Sequence, residues 1–501
     1  MLNLISKLGE LNPQLFREIK GRLKVWTFLI AAFLSFLAQL IFFRDFIGTQ
    51  STDAYTWLSA MVIITILVGG TYTLSNDLAT EQRRGTLNFI RLSPQSPQSI
   101  FVGKMLGVPI NVYIATLLAI PLHLLFGLKL GVPLHQILIS YIILVAASIF
   151  CYSGAILFSL VSSWLGGVQA WLGSGFMLIS LLFSQVEIHN DSTNSSLLLR
   201  LINPQYFMPK SATSFQLADF SWFGLELGKS FFLTAGFSLL LYSIGTYVIW
   251  QSIQRCYHDN NATMLSKKQS YLLTATFTVI TLGCANDPSN EHLFTLIILN
   301  FVLFLYLIAA LTPNYQTAID WATYQHIYRA KNPGKQKLIR DLIWGEKSPA
   351  ILAIAINALI PLISISVFIS SLDNGWYKTH AFMSVIFTFS LLLIYAALAQ
   401  RGLLIKNDQR LLRTNIMMAV VILFPMIIAA IFGSFLSLFS ILAPLQILSP
   451  RQVPLSVMLM MLGLVGHASI LGLLLFQIQG KLQKAGESAT KALLTENVLN
   501  S

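Results

Sequence analysis

In this 501-residue chain, Gly224-Leu-Glu-Leu-Gly228-Lys229-Ser230 comes nearest to nucleotide chemistry. A phosphate loop needs G-x-x-x-x-G-K-[ST], because its backbone amides cradle the phosphates while the lysine reaches toward them. Here the glycines stand one residue too close, and the segment precedes an apolar run instead of following a strand. It reads as a helix start whose lysine stretches its head toward an interface. Hydrolytic chemistry is equally thin. There is no H-E-x-x-H, no G-x-S-x-G with partners and no His/Cys set at metal spacing. Glu187, His189, Asp191, Asp219 and Glu226 are scattered over the loop 185–229, which Pro204 and Pro209 break into short pieces. Paired carboxylates in that loop leave the one opening for acid–base catalysis. Cys151, Cys256 and Cys284 cannot build a disulfide framework. The chain is expected to be neither an enzyme nor a holder of metal or nucleotide.

The elements that must position any site are apolar. The sequence is 55% hydrophobic and only 10% charged, with a mean hydropathy of +0.70, far outside the soluble range. An all-α polytopic membrane protein follows, since a crossing needs roughly 20 apolar residues. About twelve spans are expected, near 25–43, 55–75, 105–127, 135–161, 164–184, 230–250, 270–286, 293–313, 350–371, 380–400, 415–443 and 455–478. The seventh is short and threonine-rich. Of the 32 Lys and Arg, only Arg44, Lys129, Arg200, Lys210, Lys229, Lys378 and Arg451 fall in loops that this order places outside. Positive charge gathers inside, so both termini are expected in the cytoplasm and the protein in the plasma (inner) membrane of a bacterium. The net charge of +12 is then a signature of contact with anionic membrane lipids, not with nucleic acid, because no basic run is interleaved with aromatics.

Two polar segments interrupt this pattern. Residues 1–24 form an amphipathic elbow segment: Asn12 is a good N-cap, Pro13 suits the first helical position, and Leu15, Phe16, Ile19 and Leu23 share a face. Arg17, Glu18, Lys20 and Arg22 occupy the rest, so the helix should lie in the inner interface. Residues 76–104 sit between the second and third spans. A short helix from Asn76 carries Glu81, Arg83 and Arg84 to Gly85, which can take φ > 0 and end it. Thr86 then caps Leu87–Leu92, which stops before Ser93-Pro94, and Ser96-Pro97 restarts a helix feeding the third span. Leu87, Phe89, Ile90 and Leu92 are more apolar bulk than so short an element can bury, and call for a groove in lipid or in another protein.

Glu81-Gln-Arg-Arg-Gly-Thr-Leu-Asn-Phe-Ile-Arg-Leu-Ser-Pro94, followed by Ile100 and Gly103-Lys104, resembles the signature of ABC-2-type transporter permeases. So does the opening Asn12-Pro13-x-Leu15-x-Arg17-Glu18. The resemblance covers residues 11–250 and is only topological beyond. It implies that the elbow (Pro13, Phe16, Arg17, Glu18) and the coupling element (Glu81, Arg83, Arg84, Gly85, Thr86, Leu87, Phe89, Ile90) dock on a cytoplasmic ABC ATPase subunit. That partner would bind the ATP and Mg, and this chain would hold no cofactor. The family's usual direction is export, and an apolar, aromatic route suits amphiphilic or lipid-like cargo.

The expected organisation is therefore the elbow segment 1–24, a six-span core 25–250, a cytoplasmic linker 251–270, a second six-span region 271–478 with a cytoplasmic segment 314–349, and a tail 479–501. Asn332-Pro333, with Leu338, Ile339, Leu342 and Ile343 on one face, echoes the elbow. The loop 401–414 nevertheless carries Arg401, Lys406, Arg410 and Arg413 without a counterpart of Gly85-Thr86-Leu87. Either the halves are a fused, diverged pair, or 271–478 is an added domain and the first halves pair as a homodimer or with a second permease. An ion-coupled secondary transporter is the competing function and a polytopic enzyme the third. Carriers bury charge within spans, whereas these spans offer only Asn111, Gln169, Asn300, Asn357, His123 and His467, each more commonly a link between helices.

Overall fold

A computed structural model describes residues 12–49, 52–189, 197–208, 220–259, 261–285, 290–331, 338–372, 375–405, 409–432 and 457–499. Among these residues the regular structure is all helical, apart from one isolated bridge between Trp222 and Leu225. Ten helices are long and apolar enough to cross a membrane, and the protein is a multi-pass helical membrane protein. Asp191, Asp219, Pro209, Asn332, Pro333 and the end of the expected eleventh span lie outside the described residues.

The chain forms two compact units, Met1–His258 and Asp259–Ser501. The first begins with α1 (Pro13–Arg22) and α2 (Val25–Thr49). Then α3 (Thr52–Ile64) runs through one π-helical turn, Thr65–Gly69, into α4 (Gly70–Arg83). The short α5 (Thr86–Arg91) and α6 (Pro97–Gly107) follow. The remaining helices are α7 (Ile110–Lys129), α8 (Leu134–Val161), α9 (Val168–His189), α10 (Leu197–Ile202) and α11 (Phe231–His258). Residues 251–258, expected as linker, thus continue the sixth span.

Three expectations about the insert and its exit need correction. No separate helix starts at Asn76: the second crossing is one rod from Thr52 to Arg83, about 48 Å long at 1.5 Å per residue. It outlasts a hydrocarbon core of roughly 30 Å, so Asp77 and Glu81 ride on its projecting end. Gly85 does end it, at φ +70, but Thr86 is then the first residue of α5 and not its cap; its hydroxyl donates to Glu81 O at 3.3 Å. The third span starts later than 105. Pro109, which lacks an N–H, breaks the helix between Gly107 and Ile110 and leaves α6 as a separate element.

The π turn has a visible cause. Tyr152 of α8 donates its hydroxyl to Ile66 O at 2.6 Å, reaching a carbonyl inside the second rod. Gly70 makes room: a Cβ there would stand 2.0 Å from the Tyr152 hydroxyl. The hydroxyl shares this carbonyl with the Gly70 N–H, and side chains that enter the i→i−4 ladder are found at such π turns. At the other end of the rod, Tyr55 and Leu58 pack with Phe46 and Phe126, whose rings stack 4.0 Å apart.

The second unit contains α12 (Lys267–Gly283), α13 (Asn290–Leu311), α14 (Tyr315–Lys331), α15 (Leu338–Trp344), α16 (Ile351–Ser370), α17 (Gly375–Leu403), α18 (Arg410–Phe432) and α19 (Val457–Leu499). At 17 residues α12 is about 25 Å long, short of a full crossing. Ser266 and Gln269 form a capping box at its start. The expected tail is not separate: α19 continues unbroken through it for 43 residues. Its middle packs Leu474, Ile478 and Leu482 on Ala318 and Ala322 of α14 and on Ile394 and Ala397 of α17.

Candidate functional site

The site is built where α1 crosses α6 and the end of α4. Asn12 caps α1 by accepting from Leu15 N at 3.1 Å, and its amide donates to Ser99 O of α6 at 2.8 Å. Pro13 takes the first helical position. Two glycines on α6 let α1 lie against it. A Cβ at Gly107 would stand 2.5 Å from Glu18 Cβ, and one at Gly103 would stand 2.8 Å from Leu15 N. The residues that α1 buries are polar, Gln14 and Glu18, whereas Leu15, Phe16 and Ile19 remain half-buried. The elbow is thus amphipathic in the expected way, but its polar side meets protein instead of water.

What draws that side inward is Lys104, which is 0% exposed. Its Nζ lies 2.6 Å from Asp77 Oδ2, 2.9 Å from Glu81 Oε2 and 3.6 Å from Glu18 Oε1. Arg17 bridges Glu18 (2.9 Å) and Glu81 (2.8 Å). Arg22 pairs with Glu18 at 3.1 Å and also with Asp77. Three cations and three carboxylates interlock, drawn from the elbow, the second span and the helix before the third. Burial alone would raise the Glu18 carboxyl; the Lys104 ammonium and the bonds from Arg17 and Arg22 overcome it and hold the group below its ordinary 4.5. Burial would lower Lys104, but Asp77, Glu81 and Glu18 outweigh it and raise the ammonium above its ordinary 10.5. Glu18, Asp77 and Glu81 lie close enough together to hold a metal ion, yet the Lys104 ammonium fills the place such an ion would take.

Glu81 is therefore committed within the chain and does not offer its charge to a partner. The expected docking set divides in the same way. Leu87 and Ile90 are buried at 4% and 9% exposure, whereas Phe89 (76%) and Leu92 (83%) stand out from the surface. Arg83, Arg84 and Thr86 are exposed as well. The rim presented by this end is thus Arg83, Arg84, Thr86, Phe89 and Leu92, held rigidly from behind. Gln82 donates to Ser159 O at 2.9 Å and accepts from Gln169 at 3.2 Å. Arg91 lies over the Tyr257 ring at 5.5 Å. Asp77 was not singled out from the sequence, while Gln82 and Lys104 entered only within the resemblance and Arg22 only as part of the elbow's polar face; the signal for Asp77 was a lone aspartate at the end of an apolar run.

Other candidate chemistry is placed as follows. Gly224–Ser230 forms a bridge and a 3₁₀ turn, in which Lys229 pairs with Glu226. Ser59, His123 and Tyr141 form a buried chain that looks like a nucleophile and base, but it runs the wrong way. The Ser59 hydroxyl spends its proton on Tyr55 O (2.7 Å), so it accepts from His123 Nε2 (2.8 Å), while Tyr141 donates to Nδ1 (2.8 Å). Gln169 joins Gln82, Asn357 joins Thr274 and Ser270, and His467 joins Ser390, all as links between helices. Asn300 donates within its own helix. Asn111 lines a cavity, and its Oδ1 has no hydrogen-bond partner among the described residues.

Compared with family models, with curated proteins and with solved structures, the chain finds no match.

Proposed function

We propose that the protein is the membrane-spanning subunit of an ABC transporter of the ABC-2 type, driven by a separate cytoplasmic ATPase subunit that binds the ATP and Mg. The observation that supports this reading is the closed ion cluster beneath an exposed apolar rim. A force applied at Phe89 and Leu92 passes through α5 into the end of the second span, and through Lys104 into the elbow and α6. Docking surfaces that transmit force need this combination of a greasy contact and a stiff backing. Phe89 and Leu92 fill a groove on the ATPase, while Arg83 and Arg84 orient the encounter by charge. Leu87 and Ile90 hold α5 in place from inside and take no part in the contact. Cargo moves outward, and an apolar route suits an amphiphile.

An ion-coupled carrier is the second reading, and the buried polar residues of the spans weigh against it, since most of them are consumed by links between helices. The test is affinity purification in mild detergent with identification of bound soluble subunits. Phe89→Asp, on an exposed side chain, should abolish capture of an ATPase while leaving the melting temperature within a few degrees. Capture at wild-type yield would remove the coupling assignment, and cargo movement that follows an ion gradient in ATP-depleted vesicles would favour the carrier.

A further inference from the structure

The first three crossings enclose a cavity of about 480 Å³, lined by residues of α2, α3, the π turn and α7. That volume lies within the roughly 300–1,000 Å³ of ordinary small-molecule sites. Ile30 (56% exposed) and Leu34 (58%) belong both to its wall and to the outer surface, so it opens sideways into the bilayer. Its long axis follows α2 from Thr27 to Gln39, 12 helical steps or about 18 Å.

The lining decides between water and hydrocarbon. Most of its hydroxyl protons are already used: Thr27 donates to Arg22 O and Lys24 O, Ser35 to Ala115 O, and Thr116 to Val112 O. Gln39 turns its amide onto Ser35 at 3.0 Å. Among the described residues Asn111 Oδ1 is a free acceptor on the α7 wall, enough for a single water, but a water chain needs two to four partners per molecule and the rest of these walls do not supply them. The end at Thr27 adjoins the basic end of the elbow. Lys24 is exposed there, and Lys20, one turn back along the elbow, is exposed with its ammonium over the Phe16 ring at 5.7 Å; neither is paired with a carboxylate among the described residues.

We propose that this cavity binds one acyl chain of an anionic phospholipid from the leaflet in which the elbow lies, with its phosphate against Lys20 and Lys24. The chain enters between Ile30 and Leu34, lies along Ala31, Ala38 and Ala115, and gains the dispersion contacts that lining atoms otherwise lack. The phosphate meets two ammonium groups at the headgroup level, where basic residues attract anionic lipid. Such a site needs no ATPase and stands apart from the coupling reading: a chain without a motor would still bind the lipid.

The experiment uses the full chain in nanodiscs and phosphatidylglycerol carrying a photoactivatable diazirine in mid-chain, with the phosphatidylcholine analogue in parallel. Adducts mapped by mass spectrometry on the wild type should saturate with dose and concentrate on α2 between Thr27 and Gln39 and on α7 between Asn111 and Ala119. Ala31→Phe and Ala115→Phe, which fill the cavity, should cut these adducts about tenfold, equivalent to about 1.4 kcal/mol. Labelling of Trp171 and Phe176 on the exposed face of α9 should stay unchanged and serve as the folding control. Lys20→Gln with Lys24→Gln should remove the preference for phosphatidylglycerol. The proposal is overturned by adducts spread evenly over all exposed apolar faces, by equal labelling with both lipids, or by filled variants that label like the wild type while keeping the α9 pattern.

Discussion

Lys104 and Lys267 are both buried ammonium groups, and their surroundings set them in opposite directions. Lys104 faces three carboxylates and is raised. Lys267, at the foot of α12, is held by Leu342 O and Ser348 Oγ, both at 2.6 Å. Burial lowers it to about 8, with the Asp341 charge only partly opposing the effect. The signs for pH follow. Glu18 is lowered, so its contribution is present above pH 4.5 and is lost as pH falls through the still lower folded value. Lys104 is raised, so its contribution is present below pH 10.5 and is lost as pH climbs through the folded value. Lys267 is lowered, so the second unit gains stability as pH rises from about 8 to 10.5. Amide exchange of residues 13–22 should therefore be slow and flat from about pH 5 to 10 after correction for intrinsic rates, and fast outside that window. Lys104→Met should remove the plateau. It leaves three carboxylates facing one another, and breaking a buried pair by removing one partner costs about 3–5 kcal/mol.

At the level of elements, the second crossing is the part whose shape depends on single contacts. Tyr152→Phe deletes the donor to Ile66 O, while Gly70→Leu drives a side chain into the Tyr152 ring. Ile66 O keeps the Gly70 N–H as a donor, so the first should cost only about 0.5–1.5 kcal/mol, the net worth of one hydrogen bond, read as a lower melting temperature. The second should prevent accumulation of folded protein, measured as the monodisperse fraction in detergent. Local signals made much of the fold legible. Asn12-Pro13 and Ser96-Pro97 start helices because a cap and a proline act within one turn, and Gly85 ends one because only its own φ matters. The site was less legible for the same reason. Glu18, the pair Asp77 and Glu81, and Lys104 come from three stretches far apart in sequence, and Glu18, Asp77 and Lys104 each read by themselves as a flank of an apolar run. Counting faces on the elbow placed its charges toward water, since nothing local reveals that α6 brings an ammonium to meet them. The π turn was likewise invisible, because its cause sits on another helix.

Over the whole molecule, the boundary between His258 and Asp259 separates two sets of helices, each with its own buried core. Chains 1–258 and 259–501 expressed together as separate polypeptides should each insert and give its own melting transition, and the Phe89 surface should remain wholly on the first. A single shared transition would show that neither half is a folding unit. The second crossing also has a proportion that bears on any motion. Its π turn divides the rod into arms of 13 and 14 residues, about 20 and 21 Å. An oar with its rowlock at mid-length returns at the blade the same stroke it receives at the handle, reversed. Were the rod to turn about this point, a displacement of the Arg83 end would reappear, reversed and nearly undiminished, at the Thr52 end, where Gln205 donates to Thr56 O at 3.4 Å.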